Sequence, residues 1–255
     1  MFRKLFTAAL VAGLSTPAYA SLSAGDIAFT AFNADEDGWA LTTFVDIAAN
    51  TTIYFTDNEW TGSAFNTGES YHQWLTGGSI INAGSVIRFS ATDKTTLSAS
   101  AGSLSRATVS GSSNFGTANS NETIYAYLGN AASTPTTFLT AITNGDFAVD
   151  GSLVSTGLTA GVNAIRLNSN TPSATPDYAE YNGIRAGLSS FADYKALVAN
   201  VSNWTVDTSN GVYNTTTPNT TAFSVAAVPV PAAFWLFSSA MVGMLSIGRR
   251  QAVNA

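Results

Sequence analysis

The sequence predicts an all-β fold, an antiparallel β-sandwich with one short helix, followed by a C-terminal transmembrane helix. Three observations lead there. Short runs of aromatic and β-branched residues recur between Gly, Asn and Ser turns across residues 21–207. A single segment of that region shows the 3.6-residue periodicity of a helix. An uncharged stretch at 232–247 comes close to the length a bilayer requires.

The strands follow in order. Residues 26–33 (DIAFTAFN) alternate Ile27 and Phe29 with smaller partners, and 39–45 and 52–57 continue with aromatic and β-branched residues. Further strands are expected at 86–90, 123–128, 164–167 and 204–207. Strands at this spacing suit a sandwich of two packed sheets. Three segments echo one another: IAANTTIYF at 47–55, INAGSVIRF at 81–89 and LTAGVNAIRL at 158–167. Each sets an Ala-Asn or Ala-Gly pair just ahead of a strand, where a residue tolerant of positive φ is needed. The unequal intervals argue for a recurring turn and against a solenoid. The helix is expected after Ser190, where Ser190 and Asp193 form a capping-box pattern and Phe191, Tyr194, Leu197, Val198 and Val201 share one face. Residues 98–120, rich in Ser, Gly and Asn, read as an exposed loop, and 208–227, rich in Thr and Asn, as a linker.

The two ends carry addresses. Residues 1–20 have a positive start at Arg3 and Lys4, an apolar run from Leu5 to Leu14, and small residues at Ala18 and Ala20, the pattern of a signal peptide cleaved before Ser21. At the other end, residues 232–247 would span about 24 Å as a helix, slightly short of a hydrocarbon core of about 30 Å. Counting from Val228 lengthens it. Pro229 and Pro231 suit the entry of that helix, and Arg249 and Arg250 would hold its far end in the cytoplasm.

Charge excludes one class of partner. Residues 21–224 hold six basic against all sixteen acidic residues, a net charge of −10, which repels phosphate backbones and leaves no place for nucleic acid. With no cysteine, thiolate catalysis, disulfides and Cys-ligated zinc are excluded as well.

Candidate sites are few. Asn33, Asp35 and Asp37, followed by Gly38, match the start of a calcium loop, in which alternate side-chain oxygens converge around a sharp turn. The twelfth position is Phe44, where such a loop needs Glu, so an acidic hairpin turn fits the same residues. Asp57 and Glu59 would share a strand face and could act as paired carboxylates; an exposed turn after the strand is the competing reading. Trp39, Trp60 and Trp74 offer faces for sugars or, as usual for a sandwich, fill the core. His72 is the single histidine and no motif surrounds it. Six N-x-[ST] sequons, at Asn50, Asn121, Asn200, Asn203, Asn214 and Asn219, are of the number a chain so rich in Asn and Thr produces by chance. Adjacent Thr pairs put successive side chains on opposite strand faces, unlike the flat array that ice binding needs.

The order Val228, Pro229, Pro231, Ala232, Ala233, Trp235, then a small and apolar run, then Arg249 and Arg250 resembles the PEP-CTERM sorting tail of Gram-negative bacteria, in its VPLPA-like variant. Val230 stands where that family usually has Glu. The resemblance implies recognition by an exosortase, removal of the helix, and delivery to the outer surface or exopolysaccharide matrix. Gly25, Asp26 and Ile27 with the Trp-bearing strand ends resemble lamin-tail-like β-sandwiches. The expectation is therefore an exported, non-enzymatic surface or matrix protein with no cofactor, its partners the export machinery, an exosortase, the inner membrane in passing and exopolysaccharide. The alternatives are a calcium-dependent carbohydrate-binding module and a secreted hydrolase.

Overall fold

The structure, a computed structural model, describes residues 20–227. The sorting tail at 228–250, its helix at 232–247 and the signal peptide up to Tyr19 lie outside the described residues. Within them, Ala20 and Ser21 are exposed, and no helix is long and apolar enough to cross a membrane.

The fold is all-β with antiparallel pairing dominant, as expected. One six-stranded sheet runs in the order β13 (Trp204–Val206), β11 (Tyr178–Tyr181), β1 (Ile27–Asn33), β2 (Gly38–Thr43), β5 (Val86–Ser90), β6 (Ser98–Ala99). The other runs β10 (Ala164–Arg166), β9 (Thr134–Thr143), β8 (Thr123–Ala131), β3 (Thr52–Thr56), β4 (Tyr71–Leu75), β7 (Ser103–Arg106). Only β10 joins its six-stranded sheet in parallel, beside β9. A small parallel pair, β12 (Ala186–Leu188) with β14 (Ser224–Val225), completes the strands.

The period of two explains how the second sheet is buried on both faces. In β8, Ile124 and Ala126 point into the main core shared with the first sheet, whereas Tyr125 and Tyr127 point to the opposite face. β9 reaches the same division across a register shift between Phe138 and Thr140, with Leu139 and Ile142 inward and Phe138 and Ala141 outward. The outward aromatics are roofed by the loop bearing Trp60 and Phe65 and by the loop at 147–158; Trp60 Nε1 donates to Val154 O at 2.9 Å. The shared core is built on Trp39, Phe55, Trp74 and Phe89, with ring centroids of neighbouring pairs 5.1–5.9 Å apart in tilted or edge contacts, each such pair worth about 0.5–1.5 kcal/mol beyond burial. Trp39, Trp60 and Trp74 are therefore core residues. Both sheets and the core they share lie within 20–227.

The echoed turns adopt the predicted conformation: Asn50, Gly84 and Gly161 have φ of 59°, 85° and 77°. The first two echoes also meet, through a bridge between Ile47 and Ile81. The expected helix is shorter and more broken than its pattern implies. A 3-10 turn at Phe191–Tyr194 leads into α1 (Lys195–Ala199) and a second 3-10 turn at Val201–Asn203, with Tyr194 and Val198 fully buried. The Ser190 amide donates to Asp193 at 2.8 Å, as the capping pattern requires.

Two expectations need correction. Residues 98–120 are not all loop, since β7 forms an edge of the second sheet and β6 an edge of the first. The segment 208–227 is not a free linker: Tyr213 stacks on Tyr178 at 4.7 Å, and Phe223 is 3% exposed. The backbone of Phe223 comes so close to Gly84 that a Cβ there would sit 2.3 Å from Phe223 O. A Thr/Asn-rich composition concealed the two aromatics that anchor the segment.

Candidate functional site

β3 and β4 are paired in the register Thr56 to Tyr71, and this brings the residues on either side of their connecting loop together. Asp57 Oδ1 accepts from both the amide and the hydroxyl of Ser70, each at 2.7 Å. Ser70 Oγ lies 3.3 Å from His72 Nδ1, and His72 Nε2 lies 3.3 Å from Thr92 O. Asn58 and Thr56 fasten the loop, donating to Ser70 O at 3.0 and 2.7 Å. The structure thus assembles a carboxylate, a hydroxyl and the single imidazole, a grouping missed in the sequence because Asp57 joins it only through strand pairing. Glu59 lies outside this group and half-buried, so the expected pair of Asp57 and Glu59 on one strand face is not formed; β3 ends at Thr56.

The order of the three groups is wrong for nucleophilic catalysis. A working triad places the imidazole between carboxylate and hydroxyl. Here the hydroxyl sits between, bonded to the carboxylate, and His72 faces a backbone carbonyl. With Nε2–H donated to Thr92 O, Nδ1 is left as an acceptor. The three side chains are buried with Trp39, Thr117 and Ile124, and the space between them admits no water molecule. Burial lowers the His72 pKa to about 4, with the Thr92 carbonyl opposing and Arg106 adding to the shift, so the ring is neutral at pH 7.

Carboxyls crowd the same corner. Burial pushes Asp57 up to about 7, against the Ser70 hydrogen bonds and with a further rise from Glu69. Glu69 rises to about 7 by burial and then by Glu59. Glu122, 3% exposed, rises to about 9 by burial and then by Asp57, although its Oε2 accepts from the Ala118 amide at 2.9 Å. Asp57, Glu69 and Glu122, from three chain segments, are therefore held above the usual carboxylate range, first by burial and then by neighbouring like charge.

Asn33, Asp35 and Asp37 do not share one focus. Asn33 is buried, its amide donating to Tyr213 O at 3.0 Å and its Oδ1 accepting from the Glu36 amide at 3.1 Å. Asp35 Oδ2 accepts from the Tyr213 amide at 2.6 Å. Asp37, at φ 55°, turns to another segment and accepts from the Thr117 amide at 2.7 Å. These residues fasten loops to the sheet; Asp37, pushed up to about 6 by burial and by Asp93, belongs to the Thr117 side. Among the described residues no group of three or more acidic or histidine side chains is gathered to hold a metal ion.

A separate groove of about 470 Å³ opens where the 64–67 loop, the 108–110 segment and the β8–β9 turn meet. Phe65 and Tyr71 line it, with ring centroids 6.1 Å apart, together with Asn66, Thr108, Ser110 and Ser133. No lining residue is charged.

No protein-family model, no curated protein and no solved structure matches the chain. The functional reading therefore rests on the residues themselves: a sealed polar cluster, a crowd of carboxyls with raised pKa values, and a neutral groove.

Proposed function

We propose that the chain is an exported, non-enzymatic β-sandwich protein of the cell surface or exopolysaccharide matrix. Residues 1–20 carry it across the inner membrane, the helix at 232–247 stalls it there with Arg249 and Arg250 on the cytoplasmic side, and an exosortase acts at the Val228 to Ala233 segment. Pro229 and Pro231 hold that backbone extended, in a form a protease grips more readily than a helix. Moving two cations through hydrocarbon costs several kcal/mol even on the lenient insertion scale, which keeps the intermediate in place.

The observation that carries the non-enzymatic reading is the Asp57, Ser70 and His72 cluster. Its members are the ones a hydrolase would use, yet the hydroxyl is bonded to the carboxylate and closed off from water. The raised carboxyl pKa values have a structural cause, burial beside like charges. Residues 21–227 should show no turnover of ester, glycoside or peptide substrates. Turnover that disappears in both Ser70→Ala and His72→Ala, with the fold kept, would overturn the reading in favour of a hydrolase. The alternative of a calcium-dependent carbohydrate-binding module gains support for its carbohydrate half alone, from the groove, because Asn33, Asp35 and Asp37 already have loop-fastening partners.

A further inference from the structure

Resting on the reading of a surface or matrix protein, we infer that the groove between Phe65, Tyr71, Thr108 and Ser133 binds a neutral polysaccharide. Its volume, about 470 Å³, lies in the range of small-molecule sites, and its openness to solvent at three exposed loops suits a polymer that enters and leaves the site along its length. The half-buried Phe65 supplies an apolar floor for the C–H face of a sugar ring, backed by Tyr71, which is itself buried. That floor is rigid, because Phe65 packs on Tyr125, Tyr127 and Phe138 with centroids 5.2–5.9 Å away. Exposed Asn66, Thr108, Ser110 and Ser133 surround the floor with hydroxyls and an amide, groups that both donate and accept, as a polyol requires.

The walls are held in place before any ligand arrives. Ser112 Oγ donates to Glu69 O at 3.0 Å and Ser113 Oγ to Gly68 O at 2.6 Å, tying the 110–113 segment to the loop that carries Phe65. Such preorganisation lowers the ordering cost of binding.

Charge selects among occupants. The guanidinium of Arg106, two residues before Thr108, is engaged with the carbonyls of Asp93 and Lys94 at 2.6 and 2.9 Å and lies over the Phe115 ring at 3.9 Å. An anionic polymer would find no free cation in the groove, and a domain of net charge −10 would repel it. Peptides and lipids fit less well, since no edge strand lines the groove and its rim is hydroxylated.

Affinity electrophoresis of residues 21–227 through gels containing dextran, a β-glucan, a galactomannan or alginate tests the inference. Retardation is expected with at least one of the three neutral polymers and not with alginate. Ser133→Trp, which fills the groove from an exposed turn, should weaken binding at least about tenfold, and Asn66→Ala and Thr108→Ala each by about three- to tenfold. All three sites are exposed, so folding is preserved even if Phe65→Ala proves unstable. No retardation by any neutral polymer, equal retardation by alginate, or full retardation of Ser133→Trp would overturn the inference. Release of reducing ends from a retarding polymer would instead contradict the non-enzymatic reading and leave the groove standing, so the two failures are distinguishable.

Discussion

Glu122→Gln should raise the melting temperature at pH 8 and flatten the loss of stability between pH 5 and pH 9. Glu122 is buried at 3% exposure, and its carboxyl is pushed up to about 9 by that burial and by Asp57. Its unfolded value is near 4.3. Because the folded chain holds the proton more tightly than the unfolded chain, the stabilisation is complete below about pH 4 and is lost as pH rises toward 9. Asp57 and Glu69, each near 7, act in the same direction. Gln keeps an oxygen for the Ala118 amide and removes the charge, so a gain on the order of 2 kcal/mol is expected at pH 8, or roughly 4–8 °C for a domain of this size. His72 offsets part of this trend. With a folded value of about 4 against about 6.5 unfolded, it removes stability as pH falls from about 6.5 toward 4. Between about pH 4 and pH 6.5 the three carboxyls outweigh the one imidazole, so thermal stability should peak near pH 4 and fall as pH rises from there. A wild-type melting temperature that rises from pH 6 to pH 9, or a Gln variant no more stable than wild type at pH 8, would contradict this account.

Phe223→Ala should cost about 3–5 kcal/mol, the loss typical of a buried Phe. The ring is enclosed by Phe44, Tyr181 and Tyr194, at centroid separations of 5.1–6.3 Å, with the Arg185 guanidinium 4.9 Å away. Its amide donates to Gly84 O at 2.8 Å. Val212→Ala, at 80% exposure in the same segment, should change stability by less than about 0.5 kcal/mol. If 208–227 were a free tether, both substitutions would be silent. Chemical denaturation of the two variants separates the cases.

Local chemistry made part of this fold legible. β1, β2, β3, β5, β8, β10 and β13 each carry a run of apolar or β-branched residues, and the positive-φ positions Asn50, Gly84 and Gly161 announce themselves by residue type. β9 was hidden because Thr134-Pro135-Thr136-Thr137 reads as a turn, although Pro135 sits at the strand start where a missing donor is tolerated. β4 was hidden because His72, a polar residue, is buried at an interior position. β11 is four residues long and gains its stability from β1, more than 140 positions away. The polar cluster followed the same logic. Ser70 and His72 stand two residues apart at the entry to β4, but nothing in the sequence joins them to Asp57 until β4 is recognised and paired with β3. The neutral groove likewise draws on three distant segments whose Ser, Thr and Asn residues look like ordinary loops.

If the protein is exported and sorted by its tail to the cell surface, as proposed, its mature form is trimmed at both ends. Intact-mass measurement of the protein recovered from the outer surface of the producing cells tests it most directly. The expected species begins at Ser21 and ends within the Val228 to Ala233 segment, with the helix at 232–247 removed or reduced to its first residues. A surface species that retains the C-terminal peptide through Arg249, Arg250 and Ala255 would contradict it.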